Sequence, residues 1–362
     1  MAKPRIIALY LPQYHPFPEN DEWWGKGFTE WTNVARARAL FRGHEQPHIP
    51  ADLGFYDLRM SEIRKQQAEL ARQAGIEAFC YYDYYFGNGK RLMERPFDEV
   101  VASGEPNFPF CLCWANHSWY KKLWDPKNPG KDKLLIEQKY DGEKDYTQHF
   151  MTLLPAFKDK RYVRVNGKLF YAIYDPMHFA DVECFIKTWR KLAAENGLND
   201  FYFVAADYNS ESQQELFRLG FDATHNLDQY NIYHLASNLK KAWHTLLGKY
   251  LKRPRIYDYE EATRYMLHPD CSKPNVIPVI LPNWDHTPRS GARGVVMKNA
   301  TPAAFKRFAK RAIECVKDKP EQEQIIILKS WNEWGEGNYM EPDLQYGHGY
   351  INALKEAIEE SR

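Results

Sequence analysis

The segment best suited to catalysis is residues 331–337, which read Trp-Asn-Glu-Trp-Gly-Glu-Gly. Its carboxylates, Glu333 and Glu336, are three residues apart, and on a helical turn this spacing places them on one side, with Cβ atoms about 5–6 Å apart. Two such carboxylates suit cleavage of a glycosidic bond, and nearby tryptophans exclude water and raise the pKa of the acid. The alternative is a capped loop whose acids only accept hydrogen bonds from backbone amides.

The elements that must position this segment are short apolar runs alternating with helical patterns, as in a parallel sheet covered by helices. Strands are predicted at residues 6–10, 77–82, 110–115, 169–174, 201–206, 223–226, 276–281 and 325–328. Helices are predicted at residues 61–74, 182–196, 213–219, 302–317 and 350–360. Eight strands favour an α/β fold built as a single (β/α)8 TIM barrel over a doubly wound sheet. No Pro/Gly/Ser-rich linker divides the chain, so residues 1–362 are predicted to form one catalytic domain.

Polar and aromatic residues gather at the ends of seven of the eight predicted strands. The chain exceeds a plain barrel, and the excess falls in segments 11–60, 116–145 and 227–275, which follow strands one, three and six. These long βα loops would lie on the face that carries the active sites of barrel enzymes. Any one of these residues alone fits a solvated loop, but together they predict a site. The residues expected to line sugar subsites are Tyr10, Tyr14, Trp114, Asn116, Asp175, Asp207, Trp284, Asn332 and Trp334, with Trp114, Trp284 and Trp334 as stacking platforms.

Composition limits the class of protein. The 24 Tyr, 20 Phe and 11 Trp suit either a surface that binds sugar rings or an aromatic-rich core, and composition leaves both open. A net charge of +1, from 49 Lys+Arg against 48 Asp+Glu, argues against a nucleic-acid binder and a polybasic membrane anchor. No apolar run reaches the roughly 18 residues of a membrane span. The first ten residues lack a secretory pattern, so a cytoplasmic protein is expected.

Two further patterns bear on metals and cofactors. The six cysteines are scattered and are predicted to be buried free thiols, which fits a reducing compartment. Residues 44–48 match the His-Glu-x-x-His zinc pattern, but Pro47 interrupts the helix that this motif requires. No metal and no cofactor are therefore predicted. Arg289 and Arg293 could clamp a phosphate or carboxylate, although a solvated basic loop is the commoner explanation for such residues, and Arg289 is included among the predicted substrate-binding residues.

At the level of families, the chain resembles the WbsX-type proteins, often described as glycosyltransferases of polysaccharide biosynthesis and related to glycoside hydrolase family 99, the endo-α-mannosidases. The segments that carry this resemblance span nearly the whole chain in order and are residues 8–15, 27–33, 50–59, 114–116, 283–285 and 329–337. The likeness to family 99 is narrower and rests mainly on residues 329–337. The first loops depart from the hydrolases.

The resemblance implies a (β/α)8 barrel that cleaves or transfers α-linked glycosidic bonds of bacterial polysaccharide or oligosaccharide with retention of configuration. Glu333 matches the family's base, which deprotonates the sugar 2-hydroxyl so that O2 attacks C1. Glu336 matches the acid that protonates the leaving group and then activates water. A glycosyltransferase of O-antigen or capsule synthesis is the first alternative, and a non-catalytic sugar-binding barrel is the second.

Overall fold

The fold is a barrel of parallel strands wrapped by helices, seen in a computed structural model that describes residues 3–121, 133–207, 212–226, 229, 232–267 and 269–361. The barrel strands are β1 Arg5–Tyr10, β2 Ala78–Tyr85, β3 Phe110–Trp114, β4 Lys168–Ile173, β5 Phe201–Asp207, β6 Ala223–Asn226, β7 with its two parts Val276–Ile277 and Val279–Ile280, and β8 Ile325–Leu328. All eight predicted strands are present, and their bounds agree with the sequence pattern to within three residues.

The barrel closes through β7, which is interrupted by Pro278. The first part of β7 pairs with β6 (Thr224 opposite Val276), and the second part pairs with β8 (Val279 opposite Ile327). Proline has no N–H to donate, yet the carbonyl of Pro278 still accepts from the Ile327 amide at 3.0 Å. The break therefore lets one strand serve both neighbours, and the predicted (β/α)8 barrel is confirmed.

The helices divide into an outer ring and shorter helices in the loops that follow the strands. In chain order they are α1 Pro18–Trp24, α2 Glu30–Arg36, α3 Ser61–Ala74, α4 Arg95–Ser103, α5 Glu143–Lys158, α6 Val182–Glu195, α7 Gln213–Arg218, α8 Asn238–Leu251, α9 Tyr259–Met266, α10 Thr287–Ser290, α11 Pro302–Val316 and α12 Gly349–Glu360. The five predicted helices are found within two residues as α3, α6, α7, α11 and α12, whereas the sequence pattern missed the other seven, α1, α2, α4, α5, α8, α9 and α10.

Short strands complete the loops. Trp119–Lys121 pairs with Lys133–Ile136, Arg255–Asp258 pairs with Val295–Lys298, and Asn332–Glu333 pairs with Asn338–Tyr339. Two further short strands, Arg91–Leu92 and Arg164–Val165, form hairpins with β2 and β4. The loops after β1, β3 and β6 are the long ones, as the sequence predicts.

Successive residues of each barrel strand face opposite sides, and the outward face is rich in aromatic rings. Phe201 and Phe203 of β5 pack against α6, where Trp189 and Phe185 are fully buried. The Trp189 indole also donates to the Tyr146 carbonyl of α5 at 3.0 Å. Much of the aromatic content therefore belongs to the layer between the barrel and its helices.

The prediction that all six cysteines are free thiols is wrong. Cys271, in the turn Pro269–Ser272, forms a disulfide with Cys315 of α11. Cys80, Cys111 and Cys113 are buried and reduced. The scattered spacing that suggested free thiols carries no information on pairs 44 residues apart in sequence, so the inference of a reducing compartment loses its basis. Within the described residues, no helix is long and apolar enough to cross a bilayer.

We predict that Trp189→Ala lowers the free energy of unfolding by about 3–5 kcal/mol, because it leaves a large cavity between α6 and the barrel wall and removes one hydrogen bond. Urea denaturation measures this change. Trp243→Ala is the matched control, since that indole is 59% exposed and its loss should cost less than about 1 kcal/mol. Equal losses for the two variants would contradict the packing described here.

Candidate active site

A cleft of about 630 Å³ opens at the end of the barrel where the strands finish. Its floor holds the ionisable side chains of Glu30, His286, Arg289, Lys329, Glu333 and Glu336. Its walls are aromatic and include Trp24, Phe28, Tyr82, Tyr84, Trp119, Tyr120 and Tyr174. Aromatic faces around a charged floor suit a polar ligand with apolar ring faces, as sugars have.

Glu333 and Glu336 lie on a short turn that follows β8. The strand Asn332–Glu333 leads into the 3₁₀ turn Trp334–Glu336, and Asn338–Tyr339 returns antiparallel to it. Because a 3₁₀ turn has three residues per turn, side chains at positions i and i+3 point the same way. Both carboxylates are buried and both reach the cleft, as the spacing predicts.

Tyr14 and Asn332 fix the backbone on either side of Glu333. The Tyr14 hydroxyl donates to the Asn332 carbonyl and accepts from the Trp334 amide at 3.1 Å. The Asn332 amide group bonds both backbone groups of Leu11, accepting from its N–H at 2.8 Å and donating to its carbonyl at 3.0 Å. The turn that carries Glu333 and Glu336 is thereby joined to the segment that follows β1.

Two cations neutralise the floor of the cleft. The Lys329 ammonium lies 3.0 Å from Glu333 Oε1 and 3.5 Å from Glu336 Oε2. The Arg289 guanidinium donates through Nη1 to Glu336 at 2.6 Å and through Nε to Glu30 at 2.8 Å. Tyr82 donates to Glu333 Oε1 at 3.1 Å. Each buried charge therefore has an opposite charge in contact, which burial requires.

These contacts push the pKa values of the two carboxyls apart. Burial raises the pKa of Glu333 to about 7, against the opposing pull of Lys329 and with added repulsion from Glu336. Burial also disfavours the ionised form of Glu336, but Lys329 and Arg289 outweigh it and hold its pKa well below the ordinary value. One protonated and one ionised carboxyl side by side is the arrangement that acid–base chemistry needs.

Two glycines in the turn make this packing possible. A Cβ on Gly335 would lie 1.5 Å from Glu30 Oε1, so the pair between Glu30 and Arg289 requires glycine there. Gly337 has φ +53°, and a Cβ there would meet Asp285 atoms at 2.7–2.9 Å. A larger residue at position 335 would therefore clash with the cleft floor, and one at position 337 would clash with the loop that follows β7.

The structure brings seven of the twelve predicted site residues to the cleft floor or to positions that support it. Glu333, Glu336 and Arg289 line the cleft, and Tyr14 and Asn332 hold the turn. Trp334 supports the same turn from behind, because its ring is buried, stacks 3.7 Å from the Tyr339 ring and donates to Glu341 at 2.6 Å. It is therefore not exposed as a stacking platform.

Trp284 also lies behind the cleft floor. Its ring is 3% exposed and is 5.6 Å from the Lys329 ammonium. It lines a neighbouring cavity of about 740 Å³ on the other side of the loop that follows β7. The ring supports Lys329 from behind, so Trp284 is not the stacking platform that the sequence predicted.

The remaining predicted residues lie away from the cleft because they face outward. Tyr10 is buried under α3, where its hydroxyl donates to Gln67 at 2.7 Å. The Trp114 indole is fully buried among α5 and α6 and donates to the Tyr85 carbonyl. Because strand side chains alternate, the next residues, Leu11 and Ala115, face the cleft instead.

The same alternation displaces Asp175 and Asp207. Asp175 follows Tyr174, which lines the cleft, and its carboxylate bonds His178 at 2.7 Å. Asp207 falls on the face of β5 that also carries Phe201 and Phe203.

Asn116 joins two loops outside the cleft. It accepts from the Asp175 amide at 2.7 Å and donates to the Tyr140 hydroxyl at 3.0 Å. Its role in the structure is to link the ends of β3 and β4.

Several cleft residues were missing from the predicted site. Tyr82, Tyr84 and Tyr174 stand at strand ends that the sequence had marked, and alternation within each strand would have selected them. Lys329 directly follows the apolar strand β8, and a charged residue at such a buried position indicates a partner of opposite charge nearby. No local pattern around Glu30 indicates that it belongs to the cleft, since its contact with Arg289 joins positions 259 residues apart.

The zinc-like segment is a loop whose histidines have separate partners. His44 bonds Asp285 Oδ2 at 2.7 Å, and His48 bonds the Tyr339 hydroxyl at 2.9 Å. In the described part of the chain, no group of three or more His, Cys, Asp or Glu side chains is placed to hold a metal ion. Arg293 is exposed, while Arg289 lies in the cleft.

The barrel and its cleft define a fold shared with known glycoside hydrolases. The chain superposes on the endo-α-mannosidase of glycoside hydrolase family 99 from Bacteroides thetaiotaomicron, solved with bis-tris-propane, with a TM-score of 0.58 and 14% identity over 100% of this chain and 98% of that one. A second solved structure, described as a glycoside hydrolase-like protein, gives 0.58 and 14% over 99% and 94%. At this identity the likeness establishes the fold.

Comparison of the amino-acid sequence with known families identifies the family of this chain. The profile described as "Glycosyltransferase WbsX" matches residues 6–354, so the chain belongs to the WbsX family. A protein described as "Uncharacterized protein WxcX" from Xanthomonas campestris pathovar campestris is 33% identical over 359 residues, which is 98% of this chain and 49% of that protein. The chain therefore spans about half the length of the curated relatives that it matches.

We predict that Glu341→Gln flattens the pH dependence of stability. Burial raises the pKa of Glu341 to about 7, although Trp334, Gln67 and Tyr56 donate to it. A pKa above the ordinary 4.5 means that the folded state binds the extra proton. This contribution, up to about 3 kcal/mol, is present below pH 4.5 and is lost as the pH rises through about 7.

Urea denaturation between pH 4.5 and 8 of wild type and Glu341→Gln measures this contribution as the difference between the two slopes. Glu62→Gln, at an exposed position on α3, is the matched control and should keep the wild-type slope. A Glu341→Gln variant whose stability still falls as steeply as that of wild type would contradict the proposed titration.

Proposed function

We propose that this protein is a glycan-cleaving or glycan-transferring enzyme, a retaining glycoside hydrolase of the family-99 type acting on α-linked bonds of bacterial polysaccharide or oligosaccharide. The whole chain would serve as one catalytic domain. The observation that carries the proposal is the pair Glu333 and Glu336, both buried, on one side of a turn, with pKa values displaced in opposite directions inside an aromatic cleft. Glycosidases use two carboxyl groups in this way.

The resemblance assigns Glu333 as the base that deprotonates the sugar 2-hydroxyl and Glu336 as the acid. In this mechanism the freed O2 forms a bond to C1 as the bond between C1 and the leaving oxygen breaks, which gives a 1,2-anhydro sugar. Water later attacks C1 and opens the three-membered ring of that intermediate. The charges of the resting cleft favour the exchanged assignment, because Glu333 holds a proton up to about pH 7 and Arg289 keeps Glu336 ionised. The two assignments use the same pair of residues and differ in which carboxyl group protonates the leaving group.

The family description favours the alternative, a glycosyltransferase of O-antigen or capsule synthesis. Such an enzyme binds a nucleoside diphosphate, for which the sequence offers only Arg289 and Arg293. Arg289 is already paired with Glu30 and Glu336, and both of these carboxylates would repel a diphosphate. This pairing favours cleavage or transglycosylation over use of a nucleotide sugar, and the intact Glu pair argues against a non-catalytic binding barrel.

We predict that Glu336→Gln lowers turnover by about 10²–10⁴-fold while sugar binding stays nearly unchanged, because the amide keeps the shape but cannot exchange a proton. The measurement is release of new reducing ends from α-mannans, other bacterial polysaccharides and oligosaccharides, with no nucleotide sugar added. Calorimetry of the variant with the active glycan measures binding.

The exposed Glu62→Gln variant is the control for this experiment and should keep wild-type turnover. Near-full activity of Glu336→Gln would refute the assignment of the pair. Release by no glycan, together with binding of a nucleoside diphosphate, would favour the transferase alternative.

A further prediction distinguishes the two assignments of acid and base to Glu333 and Glu336. Glycosyl fluorides of the active sugar need no protonation of the leaving group, so a variant that lacks the acid should still release fluoride from them in the first step. Under the assignment given by the resemblance, Glu336→Gln releases fluoride in that step and Glu333→Gln does not, although the later attack of water, which also uses Glu336, is slowed. The reverse result would make Glu333 the proton donor, as the charges of the resting cleft suggest.

A further inference from the structure

Helix α8 carries a line of exposed apolar side chains. Leu239, Trp243, Leu246 and Tyr250 follow the spacing i, i+4, i+7, i+11, which places them along one edge of a helix with 3.6 residues per turn. Their exposed fractions are 85%, 59%, 49% and 69%. Single exposed apolar residues are ordinary on protein surfaces, but a continuous line of this kind marks an interaction surface.

The same segment concentrates positive charge. Residues 236–257 contain Lys240, Lys241, Lys249, Lys252, Arg253 and Arg255 and no Asp or Glu. The balance of the whole chain, 49 Lys+Arg against 48 Asp+Glu, conceals this local excess. The sequence argument against a polybasic surface rested on that balance, and it does not hold for α8.

On another side, the helix contacts the short strand Arg255–Asp258 of the same loop. His244 packs edge-on against the Tyr257 ring, and the Lys240 ammonium lies 5.2 Å from the same ring. Ser237 caps the first turn by accepting from the Lys240 amide at 3.2 Å. The apolar line is therefore displayed by a formed and capped helix, so docking does not have to pay for folding this segment.

The helix lies at the end of the barrel that carries the cleft. It belongs to the loop that follows β6, and the Arg253 guanidinium beyond its end lies 5.2 Å from the Phe41 ring in the loop that follows β1. Both loops start at the carboxyl ends of barrel strands, where the cleft opens. A surface bound by α8 would thus meet the protein on its catalytic side.

We propose that α8 docks this protein on an anionic phospholipid surface. Helices that lie in the plane of a membrane interface combine an apolar line containing Trp and Leu with flanking Lys and Arg, and they prefer anionic lipids. Two copies of α8 packed against each other would bring like charges together, which disfavours a dimer through this helix. The proposal stands on α8 alone and is independent of the reaction assigned to the cleft.

The test is co-sedimentation of the 362-residue chain with vesicles of phosphatidylcholine alone and of phosphatidylcholine with 30% phosphatidylglycerol. We expect binding to the anionic vesicles, reduced by 0.5 M NaCl because salt screens the attraction. Trp243→Ser with Leu246→Ser should weaken binding by about tenfold or more, since the apolar anchor is lost. Lys241→Glu with Lys252→Glu should weaken binding to anionic vesicles through charge.

The matched control is Met151→Ser with Leu344→Ser, two apolar side chains exposed by 48% and 72% outside α8, and it should bind like wild type. All variants change exposed or half-buried side chains, and thermal denaturation verifies that each is folded. Failure of wild type to bind anionic vesicles, or equal binding by wild type and the Trp243/Leu246 variant, would overturn the proposal. Light scattering that shows a dimer lost in that variant, without vesicle binding, would assign the surface to a second copy instead.

Discussion

The structure depends on a group of charges that would be costly to bury singly. Lys329, Glu333 and Glu336 have side chains only 2–7% exposed, and removing an ion from water costs several kcal/mol unless an opposite charge compensates it. Lys329 and Arg289 supply two positive charges against Glu30 and Glu336. The floor is therefore neutral when Glu333 keeps its proton, which agrees with the raised pKa of that carboxyl.

This balance can exist only in a closed barrel. The turn that carries both glutamates follows the last strand, and Tyr14 and Leu11, which hold it, follow the first strand. Pairing of β1 with β8 brings these distant segments together, and β7 closes the ring on the other side of β8. Glycine at position 335 then lets Glu30 approach Arg289. Strand order, turn geometry and charge pairing are thus successive conditions for one site.

The sequence predicts the strands, five of the helices and the glutamate pair because each depends on local periodicity or spacing. It places Tyr10 and Trp114 in the site wrongly because strand ends were selected without regard to the alternation of faces, and one residue of offset moves a side chain from the cleft to the outer wall. The contact between Glu30 and Arg289 and the disulfide between Cys271 and Cys315 join distant positions, so no local pattern reveals them.

The whole-chain charge says little about local charge, because it averages regions of different character. In the cleft, Lys329 and Arg289 compensate the ionised carboxylates, so the floor is neutral when Glu333 keeps its proton. Residues 236–257 contain six Lys and Arg and no Asp or Glu beside an exposed apolar line, and the Lys240 ammonium lies 3.6 Å from Glu261 of α9. The near-neutral total of the chain thus conceals a compensated cleft and a locally basic helix, and both lie on loops at the same end of the barrel.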